Sequence, residues 1–295
     1  MKSKLNIFIT GSSGFVGTNF LNYFEDKYYF KIYNKNTEIL IQEDAVLHFA
    51  GKAHDLKNTN NPNEYFEINS DLTKDIFNSF INSSAEVFIF LSSIKVYSNI
   101  NMLNVTEEFP TNPDSFYGKS KLLAEDYILN TKIPDNKRFY ILRPSLILGE
   151  KNKGNIELLY NFIKKGFPWP LTAFNNRRSY CYIENLFYVI DKLINNKEIP
   201  SGIYNVCDDI PISTNQLIYL ISKSTNKKLY MLYIPKFIIK TLAKFGDIFK
   251  LPYNSFTVQK ITDSFVINNN KIKAALKSEL PYSTQDGILK INKNL

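Results

Sequence analysis

Tyr117 and Lys121 stand four positions apart in Tyr117-Gly118-Lys119-Ser120-Lys121, where a helical pattern begins that runs to about Leu129. One helical turn separates them, so both side chains share a face. A free phenol titrates near pH ~10, and an ammonium fixed beside it stabilises the phenolate, giving a general acid or base near neutrality. By spacing alone, the pair reads far more readily as the wet face of an ordinary amphipathic helix. What raises it is Phe90-Leu91-Ser92-Ser93, about 24 positions upstream, where two hydroxyls end a run that reads as a buried strand. In an open parallel sheet, ligands gather beyond the carboxyl ends of strands, so a hydroxyl there can meet the tyrosine.

A second constellation lies at the start of the chain. The apolar run Leu5 to Ile9 leads into Gly11-Ser12-Ser13-Gly14-Phe15-Val16-Gly17 and then a helical pattern to Phe24. Glycines between a strand and a helix allow positive φ and close approach of backbone to a diphosphate, and the helix N-terminus adds free amides and a positive dipole end. The spacing G-x-x-G-x-x-G differs from the G-x-G-x-x-G dinucleotide fingerprint, so a tight turn in another kind of α/β protein is the competing reading. The second strand ends in Tyr33-Asn34-Lys35-Asn36 without the carboxylate that would bind the adenosine ribose of NAD. Lys35 suits a 2′-phosphate instead, which tilts the expected cofactor, NAD or NADP, toward NADP.

The elements that must position these groups follow from the apolar runs. Leu5 to Ile9, Tyr29 to Tyr33, Ala45 to Phe49, Val87 to Leu91 and Phe139 to Leu142 have strand length, and most are separated by helical stretches. This alternation predicts an α/β fold, a doubly wound parallel sheet with helices on both faces. Only about a dozen residues separate Tyr33 from Ala45, so one unit of the series is expected to be trimmed. After residue 150 the pattern loosens into a proline-rich stretch, Gly166-Phe167-Pro168-Trp169-Pro170. The expected organisation is a dinucleotide-binding domain of residues 1–150 plus about 180–207, and a smaller substrate lobe of residues 151–179 plus about 208–295.

Composition narrows the class. The chain has 295 residues, 44% hydrophobic and 22% charged, which indicates an ordinary globular protein. The two cysteines, Cys181 and Cys207, have no metal-ligand spacing and form no disulfide framework, so a reducing cytoplasm is expected and no metal site is. No apolar segment is long enough to span a bilayer. The net charge of +8 would suit nucleic acid or another anionic partner, yet the lysines are spread along the chain and no nucleic acid is expected. Lys236, Lys240 and Lys244 form a row on a predicted amphipathic helix at Ile234–Phe245. A lid helix with its lysines in water is the favoured reading; the alternative is a surface resting on an anionic membrane, without stable insertion.

Together, Gly11, Gly14 and Gly17, His48-Phe49-Ala50-Gly51, Asn69, Ser92-Ser93 with Val96-Tyr97, Tyr117 with Lys121, and Leu142-Arg143-Pro144 resemble the extended short-chain dehydrogenase/reductase family of sugar-nucleotide epimerases and dehydratases. The resemblance covers nearly the whole chain. It implies a Rossmann fold with a smaller C-terminal lobe, and a dinucleotide held by Gly11, Gly14, Phe15, Val16, Gly17, Lys35, Ala50, Asn69, Ser92, Tyr117, Lys121 and Pro144. In that scheme Tyr117 exchanges a proton with a sugar hydroxyl or ketone, Ser93 holds the same oxygen, and Lys121 binds the nicotinamide ribose and tunes Tyr117. The cofactor supplies the hydride chemistry and the protein positions it. Arg178, in Asn176-Arg177-Arg178-Ser179-Tyr180, is similar to the substrate-phosphate arginine, and Asn155 to an asparagine that meets the diphosphate. His54, in a loop after a strand end, is a further substrate candidate.

Two departures from the family pattern limit the chemistry. Ile94-Lys95 replaces the Asp-Glu pair that dehydratases of this family use to expel water, so dehydration is not expected. No arginine follows Arg178, although many members use a second one on the diphosphate. The resemblance is greatest to a bacterial subgroup containing UDP-glucose 4-epimerase-like proteins and UDP-N-acetyl-6-deoxyhexosulose 4-reductases of surface-polysaccharide pathways. The expected activity is NAD(P)-dependent C4 epimerisation of a UDP-hexose or UDP-N-acetylhexosamine. The alternatives are 4-keto reduction and a non-catalytic dinucleotide-binding protein. A homodimer is expected from the family's habit, through helices at Tyr65–Ile81 and Tyr117–Leu129.

Overall fold

The computed structural model describes residues 4–53, 62–97, 102–150, 155–251 and 253–291, with the side chains of residues 155–158 outside that set. Ten strands are present among the described residues: β1 (Asn6–Thr10), β2 (Tyr29–Ile32), β3 (Ala45–His48), β4 (Val87–Leu91), β5 (Met102–Val105), β6 (Arg138–Pro144), β7 (Leu146–Leu148), β8 (Tyr180–Tyr182), β9 (Gly202–Val206) and β10 (Phe265–Ile267). Six of them make one parallel sheet in the order β2-β1-β3-β4-β6-β9. This is the doubly wound α/β architecture with its switch point beside β1, the place where such sheets bind ligands.

The two faces of the sheet are separated by residue parity, as a strand's period of two requires. Ile7, Ile9, Leu47 and Ile89 enter one core, together with Phe20 of helix Phe15–Tyr23 and Phe187 of helix Ile183–Asn195. Phe8, Val46, Phe88 and Phe90 enter the other, with Phe77 and Phe80 of helix Leu72–Ile81 and with Ala124 and Ile128 of helix Phe116–Asn130. Strands buried on both faces read as unbroken apolar runs, which is why they are visible in the sequence.

The trimmed unit is observed. In the order 3-2-1-4-5-6 of a full doubly wound sheet another strand lies outside the second. Here β2 is the edge, and the chain returns from it to β3 without an intervening helix. The edge strand is largely exposed, and Lys31 on it pairs with Glu43 at 3.2 Å. A charged edge of this kind discourages pairing with another chain.

The remaining strands form two small parallel pairs, β7 with β8 and β5 with β10. Arg178 is stitched between them: its N–H donates to the Ile212 carbonyl at 2.9 Å, and its own carbonyl accepts from Ile212 N–H at 3.0 Å. On the other side Phe265 N–H donates to the Arg177 carbonyl at 2.8 Å. These short, isolated pairings have too little apolar periodicity to be read from sequence.

His48 ends β3 as a buried pillar. Its Nδ1 lies 2.7 Å from the Thr10 hydroxyl and its Nε2 lies 2.8 Å from the Thr73 hydroxyl, which joins β1, β3 and helix Leu72–Ile81. The Thr10 hydroxyl also accepts from Ala50 N–H at 3.2 Å, fixing the loop that follows. Burial first, and then the cation at Lys121, push the imidazole down from 6.5 to about 3, so it stays neutral. The folded chain therefore binds fewer protons than the unfolded one between these values. The contribution of His48 to stability is full above pH 6.5 and is lost as pH falls toward 3. Urea unfolding at about pH 7.5 and about pH 5 should show the loss, up to about 1.4 kcal/mol per pH unit, and the difference should shrink in His48→Gln.

Candidate active site

The glycine turn between β1 and helix Phe15–Tyr23 is shaped by contacts that exclude side chains. Gly11 has φ +71°, and a Cβ added there would lie 2.5 Å from Ala50 N. A Cβ at Gly17 would meet the Gly11 carbonyl oxygen at 2.2 Å. Gly14 caps the helix without a side-chain hydrogen bond, and no acidic residue occupies the first turn. The amides and dipole end are thus left for an anion, and the cradle fits a dinucleotide diphosphate. Phe15 and Val16 open the helix, Val16 buried, and Gly149 permits the close approach of Phe15. Lys35 is exposed beyond the end of β2, and Pro144 closes β6.

Asn69 fastens the loop after β3. Its Oδ1 accepts from Lys52 N–H at 2.7 Å, and its Nδ2 donates to the Lys52 carbonyl at 3.1 Å and the Ser120 hydroxyl at 2.9 Å. Asn69 lies in a π-helical turn, Glu67–Asp71, between helices Pro62–Phe66 and Leu72–Ile81. Such one-turn π segments gather at functional sites. Gly51 in the same loop lets the Lys121 ammonium approach, since an added Cβ would stand 3.0 Å from Nζ.

Ser93, Tyr117 and Lys121 come together at the carboxyl end of β4. Ser115 caps helix Phe116–Asn130 by accepting from Gly118 N–H at 3.1 Å, which places Tyr117 in the first turn. Gly118 allows the turn after β4 to close on the helix, for a Cβ would lie 2.2 Å from the Lys95 carbonyl oxygen. The Ser93 hydroxyl hydrogen-bonds the Tyr117 phenol. Lys121 is buried, donates to the Leu91 carbonyl at 2.8 Å, and sits 4.5 Å from the centre of the Phe90 ring. Burial pulls its ammonium down to about 7 against the opposing charge of Glu125.

One expectation is corrected here. The Lys121 ammonium was expected to lower the Tyr117 phenol, but burial raises it, and Ser93 supplies the opposing pull. Lys121 is turned to the Leu91 carbonyl instead. Burial thus favours the protonated phenol, and the Ser93 hydrogen bond works toward the phenolate.

Behind the triad lies a buried polar network. Ser92 donates to the Glu125 carboxylate. Arg143 donates Nε–H to both Glu125 oxygens at 3.1 Å and also pairs through its second terminal nitrogen. Its other terminal nitrogen donates to the Tyr97 hydroxyl at 2.8 Å, and Tyr97 in turn donates to Asn205 Oδ1 at 3.0 Å. Ser92 is thus committed to the protein interior, whereas Ser93 faces the tyrosine. The sequence reading assigned no role to Glu125. Its position four residues after Lys121, on a helix face otherwise small or apolar, is the signal that could have found it.

On the substrate side, Arg178 donates to the Lys260 carbonyl. Lys95 is partly buried, and its ammonium is lowered to about 8 by burial, then by the charges of Arg178 and Lys260, with Asp114 opposing. Three cations, Arg178, Lys95 and Lys260, therefore lie within electrostatic reach of one another where a single arginine was legible. The side chain of Asn155 and the whole of His54 lie outside the described residues.

Two substitutions separate chemistry from scaffolding. Tyr117→Phe should leave the unfolding midpoint unchanged and lower the rate of hydride transfer by about 10²–10⁴-fold. Glu125→Ala leaves Arg143 buried without its carboxylate and should cost about 3–5 kcal/mol in urea unfolding.

Comparison with known proteins agrees with this geometry. The NAD dependent epimerase/dehydratase family model matches residues 7–207. An N-acetyl-alpha-D-glucosaminyl-diphospho-ditrans,octacis-undecaprenol 4-epimerase of Escherichia coli O157:H7 is 29% identical, over 78% of this chain and 75% of its own length. A UDP-glucose 4-epimerase of Vibrio cholerae is 26% identical, over 97% of this chain and 94% of its own. The fold is shared with a UDP-N-acetylglucosamine 4-epimerase from Bacillus cereus, with TM-score 0.76, 18% identity and 99% coverage of each chain. A site of a glycine cradle, a serine and a tyrosine–lysine pair on a doubly wound sheet, matched over residues 7–207, makes this chain a member of the NAD-dependent epimerase/dehydratase family.

Proposed function

We propose that the protein is an NAD(P)-dependent C4 epimerase of a UDP-hexose or UDP-N-acetylhexosamine. The observation that carries this reading is the Ser93 hydroxyl bonded to the Tyr117 phenol at the switch-point edge of the sheet, beside the buried Lys121. Gly11, Gly14 and Gly17 would hold a dinucleotide, which would supply the hydride chemistry when bound. Tyr117 takes and gives back the hydroxyl proton, and Ser93 holds the sugar oxygen during the exchange. Lys121, its ammonium drawn down to about 7 by burial, stands beside them and would hold the nicotinamide ribose. Arg178, Lys95 and Lys260 surround the diphosphate, and Asn155 and His54 are assigned to the substrate from the sequence. Lys35, exposed beyond the end of β2, suits a 2′-phosphate and supports NADP over NAD.

Elimination of water is not part of this reading, because Ile94 and Lys95 occupy the positions where an acid–base pair would be needed. The names of the two relatives, both 4-epimerases, support the reaction and differ in the carrier. The relative from Escherichia coli supports a second reading, in which the sugar diphosphate hangs from a polyprenol instead of uridine.

The deciding measurement is a turnover screen of UDP-glucose, UDP-galactose and their N-acetylhexosamine counterparts with NAD and with NADP. Interconversion of a C4 pair without net consumption of cofactor is the expected result. Turnover confined to a polyprenyl-diphosphate sugar would move the assignment to the second carrier. Stoichiometric oxidation of reduced cofactor by a 4-keto sugar, with no epimerisation, would replace epimerase by reductase.

A further inference from the structure

Helix Lys236–Ile248 seats only Ile239, Ala243 and Gly246 against the rest of the described chain. Phe237, Leu242, Phe245, Ile248 and the adjoining Phe249 are each more than half exposed. At ~100° per residue they cover an arc of roughly 140° that faces away from the core. The lysines of the row meet water, as expected of a lid helix, and most of the apolar side does too. Beside the apolar arc runs the row Lys236, Lys240 and Lys244, spaced four residues apart on one flank. Tyr233, just before the helix, and Tyr253 and Phe256, just after it, are also more than half exposed.

Charge is concentrated on the same segment. Residues 227–250 hold six lysines against one acid, Asp247, which accepts from Ser255 N–H at 2.9 Å. That is +5 of the chain's net +8. A contiguous apolar face rimmed by basic residues is what an interfacial helix presents to a membrane. It is a poor face for a second copy of the chain, because like-charged lysine rows would meet and lysine is depleted from such contacts. The face also adjoins the active site. Gly246 lets the Tyr253 carbonyl come close enough that an added Cβ would lie 2.0 Å from it, and Ser255–Thr262 is the helix whose Lys260 carbonyl accepts from Arg178.

We propose that this face docks on an anionic lipid bilayer, with the apolar arc in the headgroup boundary and the lysine row on the lipid phosphates. No described helix is long and apolar enough to cross a membrane, so the contact is peripheral. The inference stands independently of the reaction assigned above and of its carrier.

The test is co-sedimentation of the full chain with vesicles of equimolar phosphatidylglycerol and phosphatidylcholine, beside vesicles of phosphatidylcholine alone. Binding to the first and little to the second is expected. The combined variant Lys236→Gln, Lys240→Gln, Lys244→Gln should partition about a hundredfold less, the worth of three lysines at an anionic surface. The combined variant Phe237→Ser, Phe245→Ser, Ile248→Ser should lose the binding that survives high salt while keeping its epimerase activity. Phe249→Trp, in the otherwise intact chain, should shift its emission to the blue on adding the anionic vesicles. Protein that stays in the supernatant at low salt overturns the proposal. So does a serine variant that binds like the parent, which would reduce the effect to bulk positive charge. Loss of self-association in the serine variant, with no vesicle binding by the parent, would assign the face to a second copy instead.

Discussion

Helix Phe116–Asn130 carries both Tyr117 and Lys121, and it is fixed from behind by the buried pair of Glu125 with Arg143. The pair ties the helix to β6, and through Ser92 and Tyr97 it ties both to the end of β4 and to β9. Two desolvated charges are expensive unless their hydrogen-bonding capacity is filled, and here each Glu125 oxygen accepts two bonds while three of the five Arg143 N–H groups have a named partner. A slip of the helix along the sheet would break several of these bonds together. The phenol's register against Ser93 thus depends on a carboxylate that never approaches the reaction.

The same pair shapes the electrostatics of the site. Glu125 opposes the burial that lowers Lys121, yet Arg143 holds both its oxygens, so only part of its field reaches the ammonium. Lys121 is left with its proton loosely held, close to neutrality. Its state is then sensitive to whatever anion or hydroxyl settles beside it, while at Tyr117 burial and the Ser93 hydrogen bond pull in opposite directions.

Much of this was legible in the sequence, for reasons that differ by element. The strands of the large sheet stand out because burial on both faces makes their runs continuously apolar, as in Val87–Leu91. Gly11 and Gly17 stand out because a Cβ does not fit the distances found there, and Gly14 because it completes their spacing. The small pairs β7–β8 and β5–β10 were not legible, since three or four residues joined across long separations leave no period to read. Lys95 and Lys260 were also hidden. They come together only through the fold, and in a lysine-rich chain neither is distinguished by type. The outward turn of the apolar face of helix Lys236–Ile248 was not legible, because periodicity shows that two faces differ and does not show which one meets the core.

The π turn at Glu67–Asp71 shows how one segment can answer two unrelated demands. A regular helix through this stretch would fix the angle between Asn69 and the row Ile76, Phe77 and Phe80 by the 3.6-residue repeat alone. The additional residue of the π turn rotates the first half against the second by roughly 100°. Asn69 can then clasp Lys52 while the phenylalanines remain in the core. Removing one residue there would restore ideal helical geometry and uncouple the loop, so in this segment regularity and a working site are mutually exclusive.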